Sequence, residues 1–202
     1  MNTLVRLLHA LLLLVATAAN GQEGIPGDSR EPLTINGCHI WPHTRCRGAD
    51  LRHADLSGRD LAGADLRGAN LARANLRGAN LAGARLDGAD LTGARLNKAN
   101  APAASFKGAR MVAADLEFAR LFRSDFSGAD LTGANLEAAR ANFAWFVGAR
   151  LISANLQETK FVSVNFQDAV IEGSVLRYAI FPDGHFKGCT GCPQDWYASQ
   201  SN

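Results

Sequence analysis

From residue 49 onward the polar and apolar positions of the chain repeat with a period of five. Central positions run from Leu51 to Phe186 without an insertion, and these 28 sites hold 17 Leu, 7 Phe, Met111, Ile171, Ala101 and Ala141. The residue two places earlier is Ala in 22 of the 28 repeats, the exceptions being Arg59, Ser124, Thr159, Val164, Ser174 and Gly184. The other three positions are mostly Asp, Asn, Arg, Ser, Thr and Gly. On an α-helix, steps of five leave a drift of about 140°, so the leucines would spiral around the surface. On a strand an odd spacing throws successive leucines onto opposite faces. The chain must therefore turn once per repeat, each central residue re-entering a shared interior from a new direction, and that is a solenoid.

The number of sides follows from sorting the central residues. Taken every 20 residues, one column is Leu56, Leu76, Leu96, Leu116, Leu136, Leu156 and Leu176, and another is Leu66, Leu86, Phe106, Phe126, Phe146, Phe166 and Phe186. Taken every 15, the columns mix Leu, Met, Ala, Phe and Ile. Like residues stack on like at a period of 20, which predicts an all-β solenoid of about seven four-sided coils. At the β spacing of about 4.8 Å per coil it is roughly 30 to 35 Å long. Ala101 and Ala141 fall in coils that hold Phe106 and Phe146, so a small residue offsets a large one.

The tandem motif, AlaAspLeuArgGly from Ala64 and AlaAsnLeuAlaArg from Ala69, resembles the pentapeptide-repeat proteins over residues 49–188. The resemblance implies a right-handed quadrilateral β-helix, with the central residue and the small residue before it pointing inward and the other three outward. It names a shape more than an activity. Some members of that family mimic duplex DNA and protect gyrase from quinolones, and a DNA-mimicking role is the first alternative for this chain. Those members are acidic cytoplasmic dimers, some with loops breaking the coil. Here the net charge is +2 and the repeat is unbroken.

The ends differ from the repeat. Residues 1–21 hold one early cation, an apolar run LeuLeuHisAlaLeuLeuLeuLeuValAla and small residues around position 20, the pattern of a secretory signal peptide. That run is too short to span a bilayer, so no stable membrane anchor is expected. Its removal takes away Arg6 and leaves a nearly neutral chain, exported to a periplasmic or extracellular location. Residues 22–48 read as a flexible linker and an N-terminal cap containing CysHisIleTrpProHisThrArgCys. Cys38 and Cys46 are expected to form a disulfide in an exported chain, and the alternative is a metal site of Cys38, His39, His43 and Cys46. Trp41 and Cys46 keep the phase of Leu51, which predicts that both extend the interior. Residues 189–202 form a C-terminal cap and tail. Cys189 and Cys192 make a C-x-x-C pair, either a structural staple or the centre of a thiol-disulfide oxidoreductase. The following ProGlnAspTrpTyr would lie as a lid over the last coil, where Val170, Val175 and Ile180 are apolar outward positions that a tail or a second subunit would cover.

Outward side chains carry whatever function exists. Asp50, Asp55, Asp60 and Asp65 are interleaved with Arg47, Arg52, Arg59 and Arg67, a pattern of turn chemistry and solubility, and Arg59 stands at an inward position and needs an acidic partner. One group stands apart: Phe118, Phe122, Phe143, Trp145 and Val147 point outward with Arg120, Arg123, Arg140 and Lys160 beside them, a composition that protein interfaces favour. The expected partner is a protein or a second copy of the chain. Basic residues are dispersed among acids, which predicts no nucleic-acid partner. His39, His43, His53 and His185 form no base and nucleophile constellation. A non-catalytic exported scaffold or binding module without a cofactor is the expected function.

Overall fold

The computed structural model of the chain describes residues 33–193. The leader, most of the linker and the tail with Trp196 and Tyr197 lie outside the described residues, and with them the expected signal peptide and lid. From Arg45 to Val170, every fifth residue forms a parallel bridge with the residue 20 later, ending at Thr190. The period-20 stacking predicted by the columns is thus the hydrogen-bonding register. The chain folds as a quadrilateral β-helix whose ladder starts slightly before residue 49.

The repeats share a recurring set of backbone bonds. Leu51 N donates to Asn70 O in the next coil (2.7 Å), and Asn70 N donates back to Ala49 O (2.9 Å). Ala54 N donates to Leu51 O across the corner (3.1 Å), closing a turn. The third residue of that turn has a positive φ in every described repeat, as at Gly128 (φ 68) and Arg73 (φ 58). A turn of this kind requires the left-handed region at that place, which is why glycine recurs there. The Asp or Asn before each central residue also has a local task. Its carboxylate or amide oxygen accepts the N–H two residues on, as in Thr92 N to Asp90 Oδ1 and Ser127 N to Asp125 Oδ1, both 2.9 Å. The motif thus supplies the interior, the turn and the acceptor for an N–H at the corner.

The interior is apolar and stacked. Phe106, Phe126, Phe146, Phe166 and Phe186 form one column, with ring centroids 4.8 Å apart for the first pair and 5.7 Å for the last. Ala101 and Ala141 are fully buried and leave room beside these rings. The hydroxyls at the small inward position are satisfied: Ser124 Oγ donates to Ala101 O (2.6 Å), Thr159 Oγ1 to Leu136 O (2.7 Å), and Ser174 Oγ to Leu151 O. Gly184 replaces alanine for a steric reason, because a Cβ there would lie 2.6 Å from Phe186 Cζ.

At the N-terminal end, β1 (Thr34–Ile35) and β2 (Cys38–His39) form a small antiparallel hairpin with Ile35 opposite Cys38. Cys38 and Cys46 come together there, both buried, with Cα atoms 5.5 Å apart. Trp41 corrects the expectation from phase, since it is 49% exposed while Ile40 is buried in its place. The inter-coil bonds begin at His43 N to Ala62 O, so Trp41 stands before the first stacked position and phase no longer determines its direction. His39 Nδ1 lies 2.8 Å from Thr34 Oγ1, and the His43 ring lies over Gly63. Among the described residues no group of three or more His, Cys, Asp or Glu is placed to hold a metal ion. Cys189 and Cys192 also meet, with Cα atoms 5.8 Å apart.

A candidate protein-binding surface

Four long columns of outward residues run along the prism, one down the middle of each side. Three of them alternate acids, amides, hydroxyls and single cations, as in Asp55, Asn75, Arg95, Asp115, Asn135 and Asn155. The fourth reads Asp60, Asn80, Asn100, Arg120, Arg140, Lys160 and Ile180. Only there, among the described bridges, do like charges lie directly opposite each other. Some cations elsewhere are held by carboxylates: Arg52 grips Asp50 through Nε (2.8 Å) and a terminal nitrogen (2.6 Å), Arg67 holds Asp65, and Lys107 Nζ is 3.0 Å from Asp125. The Arg52 and Arg67 hydrogen bonds pull the carboxyls of Asp50 and Asp65 down to about 2. Arg120, Arg140 and Lys160, like the single cations Arg95, Arg110 and Arg150, have no carboxylate within 4.0 Å among the described residues, and they differ from those in being stacked in succession.

Aromatic side chains frame this column. Phe118 and Phe122 occupy the corners on either side of Arg120 and are 50% and 41% exposed. Phe143, 43% exposed, packs edge-on against Phe122 at 5.3 Å, and the Arg123 guanidinium lies 5.1 Å from the Phe122 ring. Trp145, 48% exposed, is bridged between Asp125 and Asn165 on the adjoining side, so the aromatic group wraps a corner. Val147 is less exposed and sits at the following corner, two positions past Trp145, away from the column of cations. A groove of about 510 Å³ runs along the cations, lined by Lys98, Phe118, Arg120, Arg140, Glu158 and Lys160 among others, with Ala138 leaving space between Phe118 and Glu158.

Arg59 behaves as an end residue. It is half-buried near the first coils, contributes to lowering the Asp55 carboxyl behind the hydrogen bonds from Ser57, and forms no ion pair within 4.0 Å among the described residues.

The chain matches the pentapeptide repeats family in eight copies between residues 40 and 177. The chain belongs to the pentapeptide-repeat family. Its fold is accordingly the right-handed quadrilateral β-helix of that family. Among solved structures it is similar to HetL of the cyanobacterium Nostoc sp. strain PCC 7120, a pentapeptide repeat protein involved in heterocyst differentiation regulation. Identity is 33%, over 73% of this chain and 74% of that one, with a TM-score of 0.49. It is also similar to trypsin-treated QnrB1, a plasmid-mediated fluoroquinolone resistance protein, at 18% identity, 67% and 76% coverage and a TM-score of 0.59, a likeness of fold alone. A pentapeptide repeat protein of the Arabidopsis thaliana thylakoid lumen is 29% identical over 54% of this chain and 68% of that one, with a TM-score of 0.41. No curated protein matches the chain.

Within this pentapeptide-repeat protein the exposed rings of Phe118, Phe143 and, outside the group, Tyr178 (φ 60) sit where the backbone disfavours them. Phe118 (φ 55) and Phe143 (φ 61) occupy the left-handed turn position that glycine fills in many other repeats. A bulky L-residue there costs about 1 to 2 kcal/mol relative to glycine. Phe118→Gly is therefore expected to raise stability by about 1 kcal/mol in chemical denaturation. A fall of similar size would show that the ring supports the coil instead of standing out from it.

Proposed function

We propose that the chain is an exported, non-catalytic scaffold or protein-binding module that holds a protein partner on the corner formed by Phe122, Phe143 and Trp145 and on the cationic side next to it. One observation carries the reading: large aromatic side chains stand exposed and clustered about one corner of the solenoid, with Phe122 packed edge-on against Phe143. Aromatic and arginine side chains together are also what interface centres contain. Repeat proteins of this kind work by presenting an extended surface, and a convex prism offers no deep cleft for chemistry. The resistance role of QnrB1 is not carried over, because the two chains share only the fold at 18% identity.

Export and oxidation belong to the same reading. The apolar leader directs secretion, and Cys38 with Cys46 and Cys189 with Cys192 close as disulfides at the two ends of the coil, as suits an oxidising compartment. The C-x-x-C pair then serves as a staple and not as a redox centre.

The experiment is a triple substitution, Phe122→Ser, Phe143→Ser and Trp145→Ser, followed by partner capture from the host envelope and measurement of oligomer size. Loss of the captured protein, or a change from dimer to monomer, with an unchanged unfolding midpoint supports the reading. No change in either removes it. The intact mass of the native chain, without reduction, tests the compartment: a chain starting near residue 20 and lacking the four thiol hydrogens is expected.

A further inference from the structure

We propose that the Arg120–Arg140–Lys160 column is the seat for an acidic, extended polypeptide segment of the partner. This inference rests on the reading of the chain as a protein-binding module. The three cations burden the fold that carries them. Like charges directly opposite each other on neighbouring strands are destabilising. Where Asp60, Asn80 and their counterparts accept the corner N–H, as in Ala62 N to Asp60 Oδ1 at 3.1 Å, an arginine or lysine cannot. The N–H groups of Phe122, Asn142 and Val162 therefore lack the acceptor that the repeat normally provides. Other inserted cations are spaced singly, Arg95 between Asn75 and Asp115, Arg110 between Asp90 and Asp130. Only in this column are three placed in succession, and no described carboxylate neutralises them by contact. A stacked, unpaired row of this kind fits an anionic ligand.

The surroundings choose among anions. Phe118 and Phe122 flank Arg120 with exposed rings, so the seat is apolar at its sides and cationic along its middle. Acidic side chains interspersed with apolar ones match both features, whereas a sulfated sugar chain matches only the second. A long nucleic acid needs a basic path on a larger scale. Here Asp60 lies at the far end of the column, and Glu117, Glu137 and Glu158 line the adjoining corner, so the cationic strip spans roughly 10 to 15 Å. An extended peptide of about five residues covers that length at about 3.3 Å per residue. A second copy laid on the same side would bring the stacked Arg120, Arg140 and Lys160 against themselves, with carboxylates only at Asp60 and along the adjoining corner, a poorer complement than an acidic segment.

The test uses a fluorescein-labelled glutamate-rich peptide of about ten residues with phenylalanines at its centre, measured by anisotropy against the full chain. The comparison is the variant Arg120→Asn, Arg140→Asn, Lys160→Asn, which restores the amide column seen at Asn80 and Asn100. Expected are salt-dependent binding to the natural chain, at least about tenfold weaker binding to the variant, and an unfolding midpoint in the variant that is equal or higher. A structural role for the cations would lower that midpoint and overturn the proposal. So would absence of peptide binding, equal binding by the variant, or preference for heparin or oligothymidine over the peptide. If the aromatic substitutions abolish partner capture while the asparagine variant still captures the same protein, this proposal fails and the binding-module reading stands.

Discussion

Replacing Phe146 by alanine is expected to cost about 3 to 5 kcal/mol. Phe146 lies between Phe126 and Phe166, 4.9 and 5.1 Å away, and meets Phe161 edge-on at 5.7 Å. Its removal leaves a cavity that the β-helix cannot close. The coil perimeter is pinned by inter-coil bonds such as Phe146 N to Asn165 O at 2.7 Å, and its small neighbour Ala141 cannot expand. Because each coil contacts only its neighbours, the defect also weakens the coupling between the two halves of the solenoid. Guanidinium denaturation followed by circular dichroism should show a lower midpoint together with a broadened or split transition. Phe143→Ala, three residues away and exposed, is expected to change stability by less than about 1 kcal/mol. Equal losses at the two sites would mean that the phenylalanine column is not a central support of the fold.

The contrast between these two phenylalanines shows what was legible in the sequence. Phe146 is central by the count of five, and its stacking partners follow from the count of 20, so fold, coil number and interior were readable before any coordinates. The column of cations was available by the same sorting, since Arg120, Arg140 and Lys160 are 20 apart. Its meaning was not, because the other three columns first had to be recognised as alternating. Phe122 and Phe143 are 21 apart, and their edge-on contact depends on the width of a corner, which periodicity does not supply. Trp41 was misplaced because phase holds only while a coil stacks on a following coil through the regular bonds, and those start at His43. Ser124, Thr159 and Ser174 looked like plain exceptions to alanine. Their hydroxyls find carbonyls in the preceding coil, a partner visible only in three dimensions.

Arg59 and Ala119 occupy the same inward column, three coils apart, and the same side chain is expected to have opposite fates in the two places. At Arg59 the guanidinium sits near the first coils and reaches solvent, and its charge is felt by Asp55. Ala119 is fully buried between Ala99 and Ala139, with coils closed above and below by Arg120 N to Ala99 O and Arg140 N to Ala119 O, each 2.9 Å. An arginine at 119 has no exit and no buried acid to meet it. Desolvating an unpaired guanidinium costs several kcal/mol even after relaxation, and the added volume strains a perimeter that cannot widen. Ala119→Arg is therefore expected to lose more than about 4 kcal/mol and to leave the central coils open to protease. Arg59→Ala should leave stability equal or slightly higher. Ala119→Ser separates charge from polarity, since a serine can donate to the carbonyl of the preceding coil as Ser124 does, and its cost should stay near 1 kcal/mol. A folded, protease-resistant Ala119→Arg protein with an unchanged midpoint would show that the middle of the column is open to water, and a closed, dry interior could no longer be assigned to it.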